Sequence, residues 1–242
     1  MVSKSLTVFL PCFNDGSTIA SMVAKADQVA RVLTSDYEII VVDDLSADHS
    51  REILEELSQR YDKLRLVFHS ENRGYGGALK SGFAHATKDL VFYTDGDAQY
   101  DVSELAKLFA LMTGEIDVVN GFKLKRSDPF YRILAGWFYQ YAMKFAFGLK
   151  IRDVDCDFRL MKREVLNSIS LKYDSGVICV EMIKKMQDAG FKFSEVGVHH
   201  YFRPSGRSQF FTLKQIFHVV VDLVRLWRDL VLFPRIAKLK SA

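Results

Sequence analysis

Leu90-Val91-Phe92-Tyr93-Thr94-Asp95-Gly96-Asp97-Ala98-Gln99 is the run around which this chain organises itself. Five apolar or β-favouring residues, opened by Lys88-Asp89, read as a buried strand. Two carboxylates then leave the strand end two positions apart. In extended backbone, residues i and i+2 point to the same side, and Gln99 adds a neutral oxygen two positions on. Hard oxygen ligands of this kind suit Mg²⁺ or Mn²⁺ and leave positions open for water and phosphate oxygens. Such a site neutralises a departing diphosphate. Asp-Gly pairs are also ordinary turn formers, so the pentapeptide alone supports a plain polar turn equally well.

The flanking sequence decides between these readings. Strand-like runs are Leu6 to Leu10, Tyr37 to Val42, Leu64 to His69, Leu90 to Thr94 and Ile116 to Asn120. Helix-like stretches alternate with them, at Gly16 to Leu33, Asp48 to Tyr61, Gly76 to Ala86 and Val102 to Met112. This alternation predicts an α/β fold with a mostly parallel sheet covered by helices. Functional side chains should gather at the carboxyl ends of the strands. Polar residues do stand there: Asn14-Asp15, Asp43-Asp44, Asn72-Arg73, and Asp95 with Asp97.

Composition bounds the rest. With 242 residues, 49% hydrophobic and 26% charged, the chain can bury one sizeable core. A net charge of +3 is too small to indicate a nucleic-acid partner. Cys12, Cys156 and Cys179 have no metal-ligand spacing and read as reduced thiols. Met1 to Ser5 carries no secretory signature, and no 18-residue uncharged apolar run is present; a peripheral, cytoplasmic location is expected.

Each remaining motif has two readings. In Pro11-Cys12-Phe13-Asn14-Asp15, Phe13 can stack on a base and Asp15 can accept hydrogen bonds from a base or ribose; a turn with Asp15 capping the next helix explains the same letters. In Val42-Asp43-Asp44-Leu45-Ser46-Ala47-Asp48, adjacent carboxylates at a strand end need donors. Asp44 is assigned to a ligand and Asp48 to capping. Asn72-Arg73-Gly74-Tyr75-Gly76-Gly77 lacks the spacing of a dinucleotide fingerprint or a P-loop, and a simple glycine loop accounts for it as well.

Taken in order, these segments resemble glycosyltransferase family 2 on the GT-A fold, closest to polyprenyl-phosphate glycosyltransferases such as the dolichol-phosphate mannose synthases. The matching stretches are Pro11 to Asp15, Val42 to Asp48, Asn72 to Ala78, Asp95 with Asp97, Asp153 to Arg159, and Arg203 to Ser208. The resemblance implies nucleotide contacts at Pro11, Phe13, Asp15, Val42, Asp44, Asp95, Gly96 and Asp97. It implies a metal at Asp95, Asp97 and Gln99, and a lipid phosphate near Lys123, Arg126 and Arg132. Arg203 and Ser208 would close over the donor diphosphate. Asp157 departs from the family pattern, which has Gly there, and Lys123 stands where the mannose synthases have Arg.

The implied reaction is inverting, metal-dependent transfer of a sugar from a GDP- or UDP-sugar to a polyprenyl (dolichyl or undecaprenyl) phosphate. Asp97, Arg203 and, for a hydroxyl acceptor, Asp155 would be its catalytic groups, with Asp157 and Glu181 as further candidates for a base. One domain is expected: a nucleotide-sugar half (1–120), an acceptor half (121–212) and a C-terminal amphipathic helix (213–233). The aromatic stretch Pro129 to Phe147 and the stretch Leu213 to Phe233 read either as core helices or as helices lying in a membrane surface.

Overall fold

The computed structural model describes residues 4–124, 130–203 and 213–240. Seven strands form one sheet in the order β3-β2-β1-β4-β6-β5-β7. They are β1 Leu6–Cys12, β2 Tyr37–Asp43, β3 Leu64–Phe68, β4 Leu90–Thr94, β5 Val118–Lys123, β6 Phe158–Lys162 and β7 Phe193–Val198. The helices are α1 Ile19–Leu33, α2 Ser50–Ser58, α3 Gly74–His85, α4 Leu105–Leu111, α5 Phe130–Phe147, α6 Arg163–Ser168, α7 Ile178–Asp188, α8 Leu213–Trp227 and α9 Phe233–Lys240. Pairing is parallel except where β6 runs antiparallel between β4 and β5. The fold is therefore the α/β, mostly parallel sheet that the alternating periods predict.

Central strands are buried on both faces, so their side chains divide by parity. Leu6, Val8 and Leu10 pack with Ile39, Val41 and Phe92 under α1, α2 and α4. Phe9 packs with Ile40, Val42, Val91 and Tyr93 under α3 and α7. A third cluster joins α5, α7 and α8 through Phe147, Val177, Val180, Ile183 and Leu226.

Two elements differ from the expectation. The segment Arg152 to Arg159 reads as polar connection, yet its end enters β6. The charge at position 159 hides the strand; the fold accepts it because every face of the guanidinium finds a partner. The C-terminal helix does not end near Phe233. A π-helical turn, Arg228–Leu232, links α8 to α9, with the Phe233 N–H bonded to the Arg228 carbonyl. Pro234 follows, and its missing N–H cannot serve the α-helical acceptor four residues back, which favours the wider turn.

Candidate active site

The carboxyl ends of β1, β2 and β4 meet at one rim. Three non-glycine residues adopt left-handed backbone among the described residues, and all three stand at this rim: Asn14 (φ 57°), Leu45 (φ 62°) and Ala98 (φ 59°). Strain of this kind collects where a loop is shaped for a ligand. Asn14 offsets its cost locally: its amide N–H donates to Ser46 Oγ (2.9 Å) and its Oδ1 accepts from the Ala47 N–H (2.8 Å). Leu45 has no such compensation and its side chain is 40% exposed. Leu45→Gly is expected to stabilise the protein by about 0.5–1 kcal/mol, the left-handed cost less glycine's greater chain entropy, read as a higher urea midpoint at constant m.

The metal-motif turn is seated on β1. Gly96 N–H donates to the Pro11 carbonyl (3.2 Å), and Thr18 Oγ1 donates to the Gly96 carbonyl (2.8 Å). A Cβ at Gly96 would stand 3.0 Å from the Pro11 oxygen and 3.4 Å from Asp15 Oδ2, so the close approach favours glycine. Pro11 and Val42 face each other in the β1–β2 register. The Val42 side chain is sealed in the core, which leaves only main-chain atoms for a ligand.

Asp15 does not cap α1 with its side chain. Its carbonyl accepts the Thr18 and Ile19 N–H groups. Its carboxylate instead accepts the Phe13 N–H (3.2 Å) and the Arg203 guanidinium (Nη2 to Oδ1, 2.9 Å). Asp48 stands one residue before His49, the N-cap of α2, and its carboxylate accepts the Ser50 N–H and the Gly16 N–H, each at 3.0 Å. Phe13 is half-buried beside this loop.

Burial raises Asp15 from an ordinary carboxylate pKa to about 6, and Asp97 adds repulsion, while the Phe13 N–H and Arg203 oppose the rise. The folded state thus holds this proton more tightly than the unfolded chain does. Its contribution to stability is greatest below about pH 4 and falls as pH climbs through 6. Asp15→Asn is accordingly expected to gain on the order of 2–3 kcal/mol at pH 8 and nothing near pH 4, as urea unfolding at the two pH values would record.

Asp95 and Asp97 carry charge that their surroundings only partly offset. Burial, then repulsion from Asp157 and Asp97, pushes Asp95 well above the usual range. Asp97 is raised chiefly by burial, against the Gln99 N–H and Arg203. Arg203 Nε lies 3.7 Å from Asp97 Oδ2, so this arginine spans Asp15 and Asp97. Gln99 is tied to the same arm: its carbonyl accepts the Tyr201 N–H (2.8 Å) and its Nε2 donates to the Tyr201 carbonyl (3.2 Å). The amide oxygen accepts no hydrogen bond among the described residues, so it is available beside the two carboxylates. Among the described residues no three His, Cys, Asp or Glu side chains converge to cage an ion unaided. The donor set fits a divalent cation whose shell is completed by water and ligand oxygens.

On the β5–β6 side, Lys123 Nζ donates to the Asp155 carbonyl (2.6 Å) and stands 3.9 Å from Asp153 Oδ2. Asp155 is half-buried, with its N–H on Asp153 Oδ1. Asp157 accepts from Cys179 Sγ at 3.3 Å and is raised by burial, with Lys123 and Arg159 opposing. Glu181 is not a solvated helix face; it is fully buried and accepts the Lys172 and Tyr173 N–H groups, which assigns it to the loop before α7. Arg126, Arg207 and Ser208 lie outside the described residues, as does the Arg132 side chain.

Three residues here escape a reading by motif. Tyr75, embedded in the glycine run, donates its hydroxyl to Asp95 Oδ1 at 2.9 Å and stands beside Asp157. The glycines around it serve packing: a Cβ at Gly76 would meet the Tyr173 carbonyl oxygen at 2.4 Å. His69 bonds Asp44, and fully buried Arg159 lies behind Asp157. The tyrosine between glycines and the arginine that closes the Asp153 to Arg159 stretch each offered a signal, and His69 offered none.

The model of the family described as glycosyl transferase family 2 matches residues 7–170, which contain β1 to β6 and the whole acidic rim. The chain belongs to glycosyl transferase family 2. Solved glycosyltransferases share its GT-A fold. A mannosyltransferase from Pyrobaculum calidifontis, in complex with GDP-Man and Mn²⁺, is 22% identical with a TM-score of 0.64; the match covers 85% of this chain and 59% of that one. Glucosyl-3-phosphoglycerate synthase from Mycobacterium tuberculosis, in complex with Mn²⁺, UDP and phosphoglyceric acid, is 19% identical with a TM-score of 0.67, covering 93% of this chain and 78% of that one. This family 2 chain therefore spans under two thirds of the length of the first of these structures and most of the second.

Proposed function

We propose that the protein transfers a sugar from a nucleotide sugar to a polyprenyl phosphate at the cytoplasmic face of a membrane. The observation that carries the donor half is the pair Asp95, half-buried, and Asp97, buried, at the end of β4, mutually repelling and faced by Arg203. Asp95, Asp97 and the Gln99 amide oxygen would hold Mg²⁺ or Mn²⁺. When bound, the ion supplies charge neutralisation for the diphosphate leaving group. Arg203 supplies a second cationic contact to those phosphates on leaving Asp97, and Ser208 would be a further hydroxyl ligand to them. Asp15, Asp44 and Phe13 orient the nucleoside, and Tyr75 holds Asp95 in place.

The acceptor half rests on a cleft of about 270 Å³ between β5 and α5, lined by Lys123, Lys144 and Arg152 together with Trp137, Tyr141 and Phe122. Cations beside aromatic surface suit a phosphate on an apolar tail. Along α5, Trp137, Phe138, Tyr141 and Phe145 are exposed, as are Phe217, Val220 and Val224 of α8, while Tyr139, Met143 and Phe147 pack inward. No helix among the described residues is long and apolar enough to cross a membrane. An outward aromatic face on such helices fits a bilayer interface. An acceptor phosphate is already anionic near neutral pH and needs no base.

A sugar hydroxyl is the second reading, favoured by Asp157, whose charge opposes an anionic acceptor. There Asp155 or Asp157 would take the proton. The test is a panel of nucleotide sugars with Mn²⁺, offered a short polyprenyl phosphate, a glycan acceptor or neither, scored by released nucleoside diphosphate. Release that depends on the lipid phosphate is expected. Release only with a glycan acceptor, abolished in Asp155→Asn or Asp157→Asn, would establish the hydroxyl reading instead.

A further inference from the structure

Arg203 stands at the acidic rim, although the strand that precedes it lies at the far edge of the sheet. β7 is separated from β4 by β6 and β5, and three spacings of about 4.8 Å make about 14 Å. Residues 199–203 therefore form an arm that crosses towards β4 before its arginine reaches Asp15 and Asp97. An arginine on such an arm is only as well placed as the arm itself.

The arm is held in register along its length. The Leu124 N–H donates to the Val198 carbonyl (3.0 Å) where β7 ends. His200 makes an isolated antiparallel bridge with Tyr100, and their rings meet edge to face with centroids 5.2 Å apart. Tyr201 exchanges two bonds with Gln99. Those contacts adjoin the metal motif, whereas the hold on His199 comes from outside it. Glu104, at the start of α4, accepts the His199 N–H on Oε2 (3.0 Å) and the imidazole Nδ1–H on Oε1 (2.5 Å). Lys107, one turn further along, stands 3.2 Å from the same Oε1. Burial raises the Glu104 carboxyl, but the His199 ring and N–H together with Lys107 outweigh it and hold the group below the usual carboxylate range. An ionised Glu104 only accepts, so His199 carries its hydrogen on Nδ1. The imidazole is otherwise 54% exposed, so it adds little to the core.

We propose that Glu104 and His199 form a clamp that fixes where Arg203 lies, and so sets how tightly the donor diphosphate is held. This deepens the donor-site reading above and rests on it. Both are positioning residues, since they act on the diphosphate through the arm and its arginine.

The experiment is calorimetric titration of the full chain with UDP and with GDP, each with Mn²⁺, the tighter of the two being carried through the variants. His199→Ala keeps the backbone N–H and removes the imidazole. Its affinity is expected to fall roughly 3- to 10-fold, because a smaller fraction of molecules holds Arg203 in place. Its melting temperature should stay within about 2 °C of the parent, as for other exposed side chains. His199→Asn, whose Nδ2–H can replace Nδ1–H, should restore most of the affinity. Arg203→Ala should weaken binding by itself, and adding His199→Ala to it should weaken binding no further. Unchanged affinity in His199→Ala, or an equal further loss in the Arg203→Ala background, would overturn the clamp and leave the donor site standing. A loss that Asn does not restore and that comes with a lower melting temperature would mark His199 as merely structural and overturn it too. Binding of neither nucleotide by the parent chain would overturn the donor-site reading, and the clamp with it.

Discussion

Asp97→Asn is expected to lower turnover by roughly 10²- to 10³-fold while raising the melting temperature. The loss has the size seen when one preorganised electrostatic contact to a developing negative charge is removed. The substitution is nearly isosteric, and the asparagine oxygen can still accept the Gln99 N–H that Oδ1 accepts at 3.0 Å. What disappears is the buried charge that Asp15, Asp95 and Asp157 oppose. The folded protein carries that repulsion for the sake of a cation, so relieving it should stabilise the metal-free protein. Parallel measurement of rate and thermal unfolding separates this account from misfolding. A variant that melts lower and loses activity would argue for a structural aspartate; one with normal turnover would remove the basis of the proposed mechanism.

Arg159→Met is expected to cost about 3–5 kcal/mol, the price of breaking a buried ionic network from one side. Arg159 is fully buried, with Nε on Asn120 Oδ1 and Nη1 on the Tyr93 hydroxyl, each at 2.5 Å, and Nη2 near the Val154 and Cys156 carbonyls. Methionine fills the volume and satisfies none of these groups. It also removes the cation that faces Asp157 from within the sheet. Arg159→Lys should rescue little, because an ammonium on a single stem cannot reproduce the planar fork that bonds β4, β5 and the 154–156 loop together. Chemical denaturation at constant m would register both losses; a change under about 1 kcal/mol in Arg159→Met would show that the network contributes little.

The same residue marks where a linear reading stops. The parallel half of the sheet was legible because each strand there is a mostly apolar run that ends in polar residues. β4 spans Leu90–Thr94 as expected, and the polar residues after β1, β2 and β4 do share a rim. β6 was not legible, because Arg159 and Lys162 put two charges into a five-residue run that follows directly on a polar stretch. Only the partners of Arg159, drawn from positions 93, 120, 154 and 156, make that charge tolerable in the core.

The roles within the motifs divide in the same way. Local spacing marked Asp15, Asp44, Asp95 and Asp97 as side chains leaving strand ends, because the two-residue period and the turn that follows are properties of consecutive residues. It could not say which of their oxygens are free. Tyr75 reaches Asp95 across 20 residues, His69 reaches Asp44 across 25, and Arg203 reaches Asp15 across 188. By itself the sequence determined the sheet's alternation, the acidic strand ends and the family. The tertiary structure alone decided which carboxylates are already answered and which await a ligand, since hydrogen-bond saturation depends on neighbours that only folding brings together.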